Sequence, residues 1–284
     1  MNYRLLSLAV AGCLALGAVS CSDDDNDGGA GGGLVPGTTV NPTTVFPNGM
    51  PAQAGDYTIT TDASGLVTKI VDGNETTTFA YGSISRATTY DAYMKVEWGG
   101  EDSYVEFYCT LNKQGYIDYA LEYDTDENGN TDTEEWWFTY TADGRLKTMK
   151  RSEGDNEVTT LTYSGDDIVK VDMVNEPLDP ADFAETHATI AYTDATHATP
   201  IDNISGLMCY DDCFCIDMDE MEPAYYAGLL GRGTAHLPLS AVEDGDRYSY
   251  IWTLDADRMP EKLIVRNHSE YGDYDDDPIF FRWK

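Results

Sequence analysis

With 284 residues, the chain has room for one large domain or two small ones, and for a real apolar core. Lys and Arg number 17 against 51 Asp and Glu, a formal net charge of -34, which repels polyanions at long range and excludes nucleic acid and anionic lipid headgroups as partners. The same charge keeps a surface protein dispersed in water and leaves a cation, a basic protein or a neutral glycan as admissible ligands.

The first twenty residues read as an export signal: Arg4 supplies the charged start, Leu5 to Val19 an apolar run, and Ala18-Val19-Ser20 the small residues ahead of Cys21. The run is too short and too rich in Ala and Gly to hold as a spanning helix, which needs about 20 strongly apolar residues. Ala18-Val19-Ser20-Cys21 resembles the bacterial lipobox, in which the cysteine is acylated and the peptide before it removed. Val10-Ala11-Gly12-Cys13 fits the same pattern but would leave too short an apolar stretch, so lipidation is assigned to Cys21. Ser22 to Asp27 is acidic from the second residue after that cysteine, where the surface-export signal of Bacteroidota lipoproteins sits. Residues 21–55 are rich in Asp, Gly, Thr and Pro with no apolar period, the composition of a flexible tether with a reach on the order of 30 Å.

From Tyr57 the apolar residues recur with period two, in runs bounded by Gly, Asp and Asn, as half-buried antiparallel strands require. Val105, Phe107, Cys109 and Leu111 form one such face; Ile117, Tyr119, Leu121 and Tyr123, then Trp136, Phe138 and Tyr140, form others. Hairpin units turn at Gly65, Gly115, Gly144 and Gly165, and a late unit from Trp252 to Leu263 places Arg258 where the others have glycine. The spacing between units is too irregular for a solenoid or propeller. Pro223 and Gly231 bracket a short helix in Glu222 to Leu230 whose apolar side plugs the concave face of the sheet. The expected fold is therefore all-β: one domain over residues 56–284, an antiparallel meander of hairpins curled into an open or half-closed barrel, with one short helix.

The lipobox, the acidic tether, the hairpins around Gly115, Gly144 and Gly165, and above all Tyr226-Ala-Gly-Leu-Leu-Gly-Arg-Gly-Thr-Ala-His-Leu-Pro238 carry a resemblance to a family of Bacteroidota lipoproteins. That family is described as a domain of unknown function with a porin-like fold. The resemblance implies a curled antiparallel sheet and brings no catalytic residues with it. Charged residues on both sides of many turns and strands speak against a bilayer-facing band, so the domain is expected to be water-soluble.

Cys109, Cys209, Cys213 and Cys215 lack the paired C-x-x-C of a zinc site and read as buried thiols or one disulfide. His187, His197, His236 and His268 are scattered, and neither H-E-x-x-H nor G-x-S-x-G occurs, so no enzyme is assigned and no catalytic residue named. Among so many acids no glycosidase pair stands out. Trp136 and Trp137 must face opposite sides of their strand, one toward the core and one toward solvent. Asp124, Asp126, Asn128, Asn130, Asp132 and Glu135, with Gly129 at the sixth place, match the twelve-residue calcium loop, although strands rather than helices flank it. No cofactor is otherwise expected, and calcium there competes with a plain solvated turn.

The functional expectation is a surface-exposed outer-membrane lipoprotein facing the cell exterior, touching the membrane through its lipid anchor only. Its β domain is a non-catalytic binding or structural module for an unidentified extracellular ligand, a glycan or a protein. The alternative is an accessory lipoprotein that binds or hydrolyses glycans, which an exposed aromatic beside a carboxylate-lined cleft would favour.

Overall fold

The structure is a computed structural model that describes residues 40–86, 89–152, 156–175, 181, 183–269 and 272–284. Twelve strands follow one another as a meander: β1 (Pro51–Ala54), β2 (Tyr57–Thr61), β3 (Val67–Asp72), β4 (Glu75–Ser85), β5 (Thr89–Trp98), β6 (Tyr104–Leu111), β7 (Ile117–Thr125), β8 (Thr131–Tyr140), β9 (Leu146–Arg151), β10 (Glu157–Ser164), β11 (Asp167–Asn175) and β12 (Ala184–Ala191). A long insertion then carries two short strands, β13 (Ile201–Asp202) and β14 (His236–Leu237), and two single turns of helix, α1 (Tyr210–Phe214) and α2 (Pro223–Tyr226). The wall resumes with β15 (Ser240–Glu243), β16 (Asp246–Leu254), β17 (Pro260–His268), the short β18 (Tyr274–Asp275) and β19 (Ile279–Trp283).

The sheet is a closed barrel, which corrects the expectation of an open or half-closed one. β19 pairs antiparallel with β17 through Leu263 and Ile279, and with β1 through Ala54 and Phe281. β1 in turn pairs with β2. With β15 joined to β12, sixteen strands form one ring in which neither end is left as an unpaired edge. The chain joins this fold from Val40, ahead of the boundary at 56 suggested by composition: Val45 and Phe46 are buried, and Phe46 packs edge-on against Tyr225 with ring centroids 5.5 Å apart.

A sixteen-stranded ring encloses more space than its own side chains can fill, and the insertion between β12 and β15 occupies it. Tyr210, Phe214, Met221, Tyr225, Leu229 and Leu230 are all buried, in one cluster with inward wall residues such as Val96, Phe107, Ile117 and Trp136. The expected short helix forms as α2, with Pro223 in its first turn. Gly231 has φ of +88°, and a Cβ there would fall 2.6 Å from the carbonyl oxygen of Gly144. Glycine at that position lets the insertion lie directly against the β8–β9 turn, where Arg232 donates its backbone N–H to Gly144 O at 2.8 Å.

The wall is apolar inside and polar outside. In β5, Ala92, Met94 and Val96 are buried while Lys95 and Glu97 point outward; in β6, Val105, Phe107 and Cys109 face in while Glu106 and Thr110 face out. The exposed large apolar side chains among the described residues are Phe183, Val242, Ile251, Tyr274 and Phe280. A bilayer-spanning barrel needs the reverse, a continuous apolar band on the outside. This barrel turns mostly polar and amphipathic side chains outward and encloses an apolar core.

Candidate functional site

At one mouth of the barrel the insertion and the wall leave a cavity of about 300 Å³. After α1 the backbone reverses at Cys215, whose φ is +55°, and this places Asp211, Asp212 and Asp217 toward the wall residues Glu243, Tyr248 and Asp276 across the cavity. Arg151 on β9 is also in the lining but is neutralised: its Nε donates to Glu157 Oε1 at 3.1 Å and its guanidinium pairs with Asp219. That contact also ties the insertion to the wall. The cavity as a whole is anionic.

The surrounding protein partly desolvates three of the cavity's carboxyl groups, those of Asp211, Asp212 and Glu243, although Asp211 and Asp212 keep an exposed face. Burial, helped by Asp211 and Asp276, pushes Asp212 up to about 6. Burial likewise raises Asp211 and Glu243. Asp212 also lines a second cavity of about 220 Å³ with Asp56, Asp72 and Glu222. There burial lifts Glu222 to about 7, against the opposing pull of the Tyr57 hydroxyl that donates to its Oε2 at 3.3 Å. Glu220, beside them on the insertion, is pushed to about 7 by burial as well.

One more group lies near the first cavity without lining it. Tyr250 on β16 is 4% exposed, and its hydroxyl is buried with no hydrogen-bond partner. It lies within electrostatic reach of Asp212, Cys213 and Cys215. A buried hydroxyl without a partner costs about 1–3 kcal/mol. Cys215 lines the cavity too and donates its thiol to Glu243; burial pushes it up to about 12, so it stays protonated.

The residues singled out by sequence are placed as follows. Cys21 and Cys13 lie outside the described residues. Cys109, Cys209, Cys213 and Cys215 are free thiols, the first three buried. The β7–β8 hairpin carries the suggested calcium ligands but does not gather them. Asp124 and Asp132 are directly opposed across the ladder, whereas Glu135 stands opposite Leu121, on the other face of the strand pair, and accepts from the Tyr119 hydroxyl at 2.8 Å. Asp126 Oδ1 accepts the backbone N–H of Asn128 and of Asn130, both at 2.8 Å. The tip is thus a turn held by its own side chain, and no group of three or more His, Cys, Asp and Glu suited to a metal occurs among the described residues. Each histidine stands beside an aspartate: His187 with Asp172, His197 with Asp194, His236 with Asp167 and His268 with Asp273. The cavity itself was not foreseen, because its acids come from distant parts of the chain.

No family model matches the sequence, and no curated protein matches it. Solved structures do. A porin-like protein from Bacteroides uniformis ATCC 8492 superposes with a TM-score of 0.56 at 19% identity, over 80% of this chain and 89% of that one. A porin-like protein from Bacteroides vulgatus ATCC 8482 gives 0.53 at 13% identity, over 84% and 99%. The chain has the porin-like fold of these Bacteroides proteins. At such identities the likeness concerns the fold, and the site must be argued from this chain's own residues.

Proposed function

We propose that the protein is a surface lipoprotein, anchored through Cys21 and held outward by its acidic tether, whose barrel binds a small organic cation or the basic side chain of a partner protein in the acidic mouth. One observation carries this reading. A cavity large enough for an amine or guanidinium group is lined by Asp211, Asp212, Asp217, Glu243 and Asp276. Desolvated carboxylates gain most from a cation that replaces lost water, and the field of a strongly acidic protein concentrates cations at such a mouth. The polar exterior of the wall supports a domain that works in water and leaves membrane attachment to the lipid.

Calorimetric titration with arginine amide and with putrescine tests it. Saturable binding is expected, weakened by salt and lost in Asp212→Asn combined with Glu243→Gln. Equal heats in the wild type and the double variant would mean diffuse charge attraction and overturn the reading.

A second reading, glycan binding, has an observation of its own. A cleft of about 500 Å³ between the β3–β4 and β5–β6 turns brings Trp98 and Tyr104 beside Glu97 and Glu101, an aromatic surface next to carboxylates. Retention on a glycan microarray that Trp98→Ala abolishes supports this reading, and absence of retention removes it.

A further inference from the structure

On the outer side of the wall, three side chains from β16, β17 and the turn after β17 form a hydrogen-bonded relay. Ser249 Oγ lies 2.8 Å from His268 Nε2, and His268 Nδ1 lies 3.0 Å from Asp273 Oδ1. Ladder geometry fixes all three. Ser249 sits opposite Arg266 on the neighbouring strand while His268 sits opposite Arg247, so Ser249 and His268 are diagonal neighbours. The β17–β18 hairpin, with Arg266 opposite Asp275 and Asn267 opposite Tyr274, brings Asp273 across from His268. A carboxylate can only accept, so Nδ1 carries the ring proton, and Nε2 is left to accept the proton of the Ser249 hydroxyl. This is the connectivity that activates a serine for acyl transfer.

The relay borders a groove of about 420 Å³. Leu239, Ala241 and Val242 give the groove an apolar side, and Arg247, two residues before Ser249 on the same outward face of β16, lines it as well. We propose that this groove hydrolyses short-chain carboxylic esters of neutral alcohols. Ser249 Oγ attacks the ester carbonyl while His268 Nε2 takes its proton. The Oγ–carbon bond forms, negative charge on the carbonyl oxygen faces the Arg247 guanidinium, and the carbon–alkoxy bond then breaks, the alcohol leaving with the proton from His268. Water attacks the acyl-serine, gives its proton to His268, and the acid departs as that proton returns to Ser249. The catalytic residues are Ser249 and His268; Asp273 is a positioning residue that sets the tautomer. The apolar side suits a short acyl chain, and the protein's net charge disfavours an anionic alcohol. The groove shares Tyr248 with the acidic mouth but none of its carboxylates, so Ser249→Ala tests the hydrolysis and Asp212→Asn with Glu243→Gln the cation binding separately.

The test uses the full chain, p-nitrophenyl acetate and a fluorophosphonate probe. Expected are turnover, and a single covalent label on Ser249 located by mass spectrometry. Ser249→Ala should lose the label and at least about 100-fold in rate. Asp273→Asn, whose circular dichroism and Tm should match the wild type, should lower kcat at least about 10-fold with KM unchanged. Absence of label above a heat-denatured control overturns the proposal, as does a label on another residue or hydrolysis that survives Ser249→Ala; each would leave the relay as a structural tie between β16 and the β17–β18 hairpin.

Discussion

The indole Nε1 of Trp136 donates a 2.7 Å hydrogen bond to Oε2 of Glu122 across the β7–β8 pair, with 1% of Trp136 and 8% of Glu122 exposed. Trp137, next in sequence, stands on the outer face against Tyr119 and Lys150. Glu122→Leu keeps the volume but removes the acceptor for a buried indole. A loss of about 1–3 kcal/mol is expected in urea unfolding, against less than about 0.5 kcal/mol for Trp137→Phe on the wetted side.

The mouth makes stability fall as pH rises. Burial lifts Asp212 to about 6 and Glu220 and Glu222 to about 7, whereas in the unfolded chain they return to ordinary carboxylate values. Between about pH 4.5 and 7 the folded protein therefore holds more protons than the unfolded one, and its stability declines across that window. Asp62, Asp126 and Asp194, held low chiefly by hydrogen bonds from turn side chains, contribute above their unfolded values and lose that contribution only in acid, below about pH 4. Scanning fluorimetry should find Tm highest near pH 4.5 to 5 and falling toward pH 7.5, with a shallower fall in Glu222→Gln. A Tm that climbs over this range would refute the assignment.

Gly231→Ala should be far costlier than an ordinary turn glycine. Its Cβ would meet the Gly144 carbonyl at a φ of +88°, while the turn glycine Gly165, at +62°, has open space around it. Gly165→Ala is expected to cost about 1–2 kcal/mol from backbone strain alone. Gly231→Ala adds displacement of the insertion from the β8–β9 turn and should roughly double that loss.

Replacing Cys21 by Ala should release the protein from membranes and abolish labelling by a palmitate analogue, and replacing Cys13 should do neither. Retained label on Cys21→Ala would move the anchor elsewhere.

The local part of the fold was legible in the sequence. The hairpins at Gly65, Gly115, Gly144 and Gly165 are β2–β3, β6–β7, β8–β9 and β10–β11, and Arg258, read as the glycine substitute of the last unit, has a φ of +66°. Alternation and turn residues encode such pairs over a few positions. Closure was not legible, because pairing β1 with β19 depends on residues more than two hundred positions apart with no shared local signature. Residues 40–55 share the Thr, Pro and Gly content of the tether, so composition hid Phe46 and β1. The acidic mouth draws Asp212, Glu243 and Asp276 from three segments, and the Ser249 relay has no G-x-S-x-G elbow because its serine lies within a strand. In both cases the barrel assembles groups that spacing along the chain cannot connect.

The central claim, that the mouth is a cation-binding site, is tested most directly by a crystal structure of the full chain grown with arginine amide. The account predicts the guanidinium between Asp212 and Glu243, both of which line the mouth. A mouth left without the ligand at concentrations that saturate the protein in solution, or the ligand held at another surface, would contradict it.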